Sequence, residues 1–211
     1  MRLVIVVNGE QREEILMKNI KKDVEIVFAK EFATIDIDNK YDAIFFLNND
    51  NQDERVEKIS GIPVFINSVI ETLKEKKLPA NFHRINGWPG FLKRESWEVA
   101  SGDISSASAI FGELGWDIVF VKDEPGLVAA RVISMLVNEA FLCLEEQISS
   151  VEEIDKAMKL GTNYPNGPFE WAEKIGLKNI YLLLQKLSLT DKRYLTAPLL
   201  YKKYFELTSS L

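Results

Sequence analysis

Apolar positions along this chain follow two rhythms, and the rhythm changes near residue 123. Before that point they come as short β-branched and aromatic runs at residues 2–7, 24–29, 43–47 and 63–67. Runs of this length and type predict strands covered on both faces. Between the first two, residues 11–21 place Ile15, Leu16 and Ile20 on one helical face. Residues 69–77 predict a second helix, apolar at its start and charged at its end, and residues 117–121 predict a closing strand. Buried strands alternating with helices predict a parallel α/β sheet. After Lys122-Asp123-Glu124-Pro125-Gly126 the pattern is helical throughout. Residues 127–146 are apolar on most sides, which predicts a central helix packed against others. Ser150-Val151-Glu152-Glu153 has the form of a capping box, and its helix is expected to run to Leu160 and stop at Gly161. Residues 171–175, 179–189 and 198–207 predict the remaining helices. The change of rhythm divides the chain into a sheet domain, 1–122, and a helical domain, 123–211.

Composition narrows the function classes. The 211 residues are 46% hydrophobic and 27% charged, with a net charge of −6. A core of that size needs neither disulfides nor metal, and the acidic balance argues against nucleic acid as a partner. One cysteine, Cys143, lies in an apolar helical run and reads as a core thiol. A lone Cys with a lone His makes zinc improbable and fits a reducing compartment. No window approaches the roughly 20 apolar residues of a membrane span. The first apolar run is too short for a secretory leader, so a cytoplasmic protein is expected.

Several motifs in the second half stand in a distinctive order. Pro125-Gly126-Leu127 precedes an apolar helix carrying Asn138-Glu139-Ala140; then comes the helix from Ser150, then Gly161-Thr162-Asn163-Tyr164-Pro165-Asn166-Gly167-Pro168-Phe169-Glu170. This order resembles the carboxyl-terminal domain of the 3-hydroxyacyl-CoA dehydrogenase family, over most of the last ninety or so residues. The resemblance implies a reduced Rossmann-like α/β domain followed by an all-α domain. It also implies NAD as cofactor, an acyl-CoA substrate and a homodimer formed through the helical domain. The prolines and glycines of the 161–170 run suit a rigid connector. Phe169 is expected to be buried between helices, and Glu170 to begin or cap the next one.

The same resemblance suggests site residues in the first half. The family ends a strand with a His-aromatic-aromatic-Asn-Pro run whose histidine is the catalytic base. His83-Arg84-Ile85-Asn86 aligns with it, with Arg and Ile in place of the aromatics. His83 is then the base and Asn86 a substrate contact. The family pairs the base with a glutamate on the next strand, for which Trp97-Glu98-Val99 is the better match, fifteen residues after His83. Glu95 competes, because it fits the ungapped spacing. Asn67-Ser68-Val69-Ile70 stands for a family Asn-Thr-Ser-Ser segment, with Ser68 either touching substrate or capping the following helix.

Three departures matter. Ala130 occupies the place of a family asparagine in Pro125-Gly126-Leu127-Val128-Ala129-Ala130-Arg131 and offers no hydrogen bond. The Gly-x-Gly-x-x-Gly turn of a dinucleotide site is reduced to Gly9, followed by Glu10, Glu13 and Glu14 where an anion should sit. Ala29-Lys30 replaces the acidic residue expected after the second strand, and the link across residues 30–42 is short. Two functions remain open from sequence: a 3-hydroxyacyl-CoA dehydrogenase, and a relative that has lost NAD binding and serves as an acyl-CoA-binding or interaction module; a third reading has a bound nucleotide placed differently from the family.

Overall fold

The apolar runs of the first half become one sheet in the computed structural model, which describes residues 1–35, 40–48 and 56–209. Its strands are β1 (Arg2–Val6), β2 (Glu25–Ala29), β3 (Ala43–Phe46), β4 (Val64–Asn67), β5 (Phe82–Ile85), β6 (Ser96–Ser101) and β7 (Asp117–Phe120). They lie in the order β2-β1-β3-β4-β5-β6-β7. Every neighbouring pair is parallel except β5 with β6. The helices of this half are α1 (Gly9–Leu16), α2 (Leu73–Lys76) and α3 (Ile104–Leu114). Part of the short 30–42 link, residues 36–39, lies outside the described residues.

Both faces of the sheet are covered, which explains the nearly unbroken hydrophobicity of the central strands. One face buries Leu3, Ile5, Phe45, Phe65, Ile85, Trp97 and Val99 with α3 residues such as Phe111. The other buries Val4, Val6, Ile44, Phe46, Val64, Ile66 and Phe82. Aromatic rings knit the first face: Phe45 stacks on Phe65 at 4.5 Å, and Phe111 meets Phe65 edge-on at 5.2 Å.

Two helices differ from the sequence expectation. α3 is formed where none is expected, because its small residues dilute the apolar stripe of Ala107, Ile110, Phe111 and Leu114. α2 is confined to Leu73–Lys76 within the expected 69–77. The Arg84 guanidinium donates to the Ser68 carbonyl at 2.6 Å and to the Val69 carbonyl at 3.0 Å. Gly126 N also donates to the Val69 carbonyl. With those carbonyls committed, the helix starts later, at a Thr72–Glu75 capping box.

Compact units run from Met1 to Leu127 and from Val128 to Leu211. The second contains α4 (Ala129–Glu145), α5 (Val151–Thr162), α6 (Pro168–Ile175), α7 (Leu177–Ser188) and α8 (Pro198–Ser209), with no strand among its described residues. α4 packs against α6, α7 and α8, as its apolar circumference demands. α5 ends at Asn163, which takes the left-handed conformation at φ 55°, rather than at Gly161. Asn reaches that region through local side-chain hydrogen bonding.

Candidate functional site

In open α/β sheets, ligands bind outside the carboxyl ends of the strands, where the strand order reverses. Here the reversal lies between β1 and β3. The segments that leave β1, β3, β4 and β5 converge there, and they carry Asn8, Gln11, Leu47, Asn67, Ser68, Asn86 and Gly87.

The first turn is closed by its own side chains. Asn8 caps α1, accepting from Gln11 N at 2.9 Å, while Gln11 Oε1 accepts from Asn8 N at 3.1 Å. Gln11 Nε2 then donates to the Leu47 carbonyl at 2.8 Å and to the Gly87 carbonyl at 3.1 Å. Asn67 Nδ2 donates to the same Leu47 carbonyl at 3.1 Å, and Asn67 Oδ1 accepts from Gly87 N at 3.0 Å. Gly87 is needed for this approach, since a Cβ would lie 2.7 Å from Asn67 Cγ. Glu14 is buried and accepts from the backbone N–H groups of Gly90, Leu92 and Lys93. Of the three glutamates expected to crowd the helix N-terminus, only Glu10 and Glu13 face solvent. Gly9 is the first residue of α1, is not among the glycines at positive φ, and could carry a Cβ without contact. These residues do not fit a dinucleotide: the turn glycines are missing, the capping box takes the Asn8 and Gln11 N–H groups, and one carboxylate is buried behind the turn.

His83 sits within β5, not at its end. Its ring lies 4.7 Å from that of Phe65, and the residue is fully buried. Nδ1 shares a hydrogen bond of 2.8 Å with Ser101 Oγ, while Nε2 has no partner. Burial lowers its pKa from 6.5 to about 4, only partly opposed by the attraction of Asp103. The β5–β6 register places His83 opposite Ser101, Arg84 opposite Ala100 and Ile85 opposite Val99. Successive side chains alternate between faces, so Glu98 falls on the Arg84 face and His83 on the other. The expected His83–Glu98 pair is therefore not formed. Glu95 is exposed in the connection before β6 and leaves the pairing unrescued.

One step beyond the last β5–β6 pair, the residue facing Glu98 is Asn86. Glu98 is as far from Asn86 in sequence as Glu95 is from His83, so the ungapped spacing belongs to Asn86 and Glu98. Asn86 is buried; its Oδ1 accepts from Trp88 N at 3.3 Å, and its Nδ2 has no partner. An amide at this position can donate a hydrogen bond but takes no proton at neutral pH. Ser68 is also buried, and its hydroxyl donates to the Glu71 carbonyl at 2.8 Å. It does not cap α2, a task that falls to Thr72.

Arg84 is the residue whose importance the sequence reading missed. It is fully buried, and besides the Ser68 and Val69 carbonyls it pairs with Asp123 at 2.5 Å. Asp123 in turn accepts from Leu73 N and Lys74 N at the start of α2. One guanidinium thus fixes the exit of β4, the entry to α2 and the segment before Pro125. An isolated arginine inside the short strand run Phe82-His83-Arg84-Ile85 was the available signal, because such a charge is buried only when paired.

In the helical unit, Asn138 accepts from Ala197 N at 2.8 Å and donates to the Leu195 carbonyl at 3.0 Å, a tie between α4 and the segment before α8. Asp155 accepts from Phe169 N and Glu170 N and so caps α6 from α5. A Cβ at Gly167 would lie 2.3 Å from Asp155 Cγ, which requires glycine there. Glu170 closes a capping box on Gly167 N and pairs with Lys159, whose hydrogen bond lowers its pKa. Phe169 is half-buried rather than buried, its ring 5.1 Å from that of Phe141. Both line a groove of about 420 Å³ together with Leu144, Leu177, Lys203 and Leu207. Ala130 is buried on α4. Among the described residues, no cluster of three or more His, Cys, Asp or Glu could hold a metal, and no helix is long and apolar enough to cross a membrane.

Residues 126–209 match the family model of the 3-hydroxyacyl-CoA dehydrogenase C-terminal domain. A probable 3-hydroxybutyryl-CoA dehydrogenase of Bacillus subtilis is 40% identical over 96 residues, 44% of this chain and 33% of that protein. A 3-hydroxybutyryl-CoA dehydrogenase of Clostridioides difficile is 28% identical over 190 residues, 86% of this chain and 66% of that protein. The chain therefore spans only about a third of the Bacillus relative and two thirds of the Clostridioides one. The crystal structure of (S)-3-hydroxybutyryl-CoA dehydrogenase from Ralstonia eutropha shares the fold, with a TM-score of 0.68 and 22% identity over 95% of this chain and 92% of that one.

Proposed function

We propose that the chain is a member of the 3-hydroxyacyl-CoA dehydrogenase family, whose C-terminal domain model its residues 126–209 match, and that it is a dehydrogenase-like oxidoreductase whose substrate class is the acyl-CoA thioester. The reaction class implied by the family is hydride transfer between a nicotinamide cofactor and C3 of the acyl chain, which in this chain requires the nucleotide to be held outside the capped first turn. The observation that carries this reading is likeness along most of the chain: 86% of it aligns with the Clostridioides enzyme, sheet half included. Ser68, Asn86 and Glu98 belong to segments that leave or face the carboxyl ends of β4 and β5. In this reading Asn86 Nδ2 donates to an acyl oxygen, and Glu98 is the carboxylate across the ladder. His83, whose ring lies in the core against Phe65 and Ser101, is not assigned as the base.

A second reading keeps the acyl-CoA and drops the turnover. It is favoured by the capped first turn and by an amide, not an imidazole, opposite Glu98. One experiment separates the two. Acetoacetyl-CoA is titrated into the protein by calorimetry, and NADH oxidation is followed in the same mixture. Binding with NADH consumption supports the dehydrogenase; binding without it supports the second reading. No heat with acetoacetyl-CoA refutes both.

We further infer a homodimer through the helical unit, in a cytoplasmic setting. Leu182, Leu189, Tyr201, Phe205 and Leu207 are exposed there on α7 and α8 and at their ends, and Leu207 also lines the groove of Phe141 and Phe169. Exposed apolar surface of that extent suits an interface. Light scattering that gives a monomer mass at micromolar concentration refutes it.

A further inference from the structure

We infer that the crevice between β1 and β3 is a closed internal lock, so that no dinucleotide binds there. The lock has two parts. Gln11 is fully committed: its oxygen accepts from Asn8 N, and its nitrogen donates to two carbonyls, those of Leu47 at the end of β3 and of Gly87 beyond β5. Glu14 is the second part: its carboxylate takes the backbone N–H groups of Gly90, Leu92 and Lys93. Together they bind the segment 87–93 across the first βα turn.

The chemistry of these partners decides the matter. A pyrophosphate is an anion that only accepts hydrogen bonds. To enter the crevice it must displace Gln11, whose nitrogen donates to the Leu47 and Gly87 carbonyls. Those carbonyls are acceptors, and phosphate oxygens have no proton to return to them. Leu47 keeps its bond from Asn67 Nδ2, but the Gly87 carbonyl would lose a donor. Displacing Glu14 would strip a buried carboxylate of its donors, and leaving it in place sets like charge against the phosphates. The α1 N-terminus offers little compensation, because its capping box already takes the Asn8 and Gln11 N–H groups and Glu10 adds negative charge. In a working dinucleotide turn these positions are glycines and free N–H groups. Here they are side chains that tie together the segments leaving the carboxyl ends of β1, β3 and β5.

The test uses the whole chain. NADH and ADP-ribose are titrated separately by calorimetry, with nicotinamide fluorescence as a second readout, into the wild type, Gln11→Ala and Glu14→Gln. The lock predicts that the wild type shows no saturation with either ligand, up to millimolar concentration, that depends on Gln11 or Glu14. It also predicts a melting temperature lowered by about 5 °C in each variant, the scale of one or two buried groups left unpaired in a chain of this size. Micromolar NADH binding by the wild type that either variant weakens by tenfold or more overturns the inference, because it makes these side chains part of a nucleotide site. Binding that neither variant alters, while both lower the melting temperature, supports a closed crevice with nucleotide held elsewhere. Variants that melt like the wild type overturn the lock whatever NADH does. Acetoacetyl-CoA binding is measured in parallel, so a lost acyl-CoA reading is told apart from a lost lock.

Discussion

His83 is the only histidine in the chain, and its burial should make the sheet unit acid-sensitive in a defined window. The ring is fully buried, and its pKa falls from 6.5 to about 4 because charging it costs solvation that the interior does not replace. Above pH 6.5 the imidazole is neutral in both folded and unfolded chains and contributes no pH dependence. Below pH 6.5 the unfolded chain takes up a proton that the folded chain refuses. Stability is therefore lost from about pH 6.5 and the loss is complete near pH 4. The full difference is about 3 kcal/mol, at 1.36 kcal/mol for each tenfold change in proton affinity. Urea unfolding of the wild type and of His83→Gln, followed by tryptophan fluorescence between pH 7 and pH 4, isolates the effect. Carboxylates titrate alike in both proteins, so only the difference between their profiles belongs to His83. The variant loses the ring contact with Phe65 at every pH, but its profile should be flatter over this window. A single imidazole resonance gives an independent check by proton NMR. A midpoint near 6.5, or two parallel stability profiles, would refute the burial argument.

Two further outcomes follow from the packing. Arg84→Met leaves Asp123 without its cation and the Ser68 carbonyl without its donor, Val69 keeping only the bond from Gly126 N, and should cost about 3–5 kcal/mol in urea unfolding, the scale for breaking a buried pair; Arg84→Lys should recover little, because an ammonium cannot reproduce the planar fork. Phe169→Ala should destabilise the helical unit by about 1–2 kcal/mol, below the 3–5 kcal/mol of a fully buried aromatic, because the ring is only half-buried; an unchanged melting temperature together with lost acetoacetyl-CoA binding would make the groove a ligand site instead.

Much of the fold was legible because periodicity reports burial. The first four strands stand out since both faces of the sheet are covered, leaving little polar interruption. The helical half was legible through capping chemistry, as at Ser150 and Glu153. What stayed hidden was set by contacts distant in sequence. α2 is shortened by a guanidinium from β5, which no local propensity encodes. α3 hides because alanine, serine and glycine dominate it, and it is held by packing of Phe111 against Phe65 and Trp97. Phe169 was expected deeper because prolines and glycines describe a stiff segment without saying which side of it meets solvent.

The candidate site shows how much depends on strand register. A motif alignment that tolerates changed residues placed His83 on the base, and a gap was then needed to reach Glu98. The antiparallel ladder removes the gap, because pairing Ile85 with Val99 sets Asn86 against Glu98. A shift of three positions along a strand also exchanges faces, so the imidazole that chemistry wants at the edge belongs in the interior beside Phe65. Chemical type drew the first assignment toward the lone histidine; geometry assigns it to the core and leaves an amide with an unpartnered Nδ2 at the edge. The same logic applies to the first turn. Its missing glycines could be counted in the sequence. That Gln11 and Glu14 reach the 87–93 segment could not, because those partners lie more than seventy residues away.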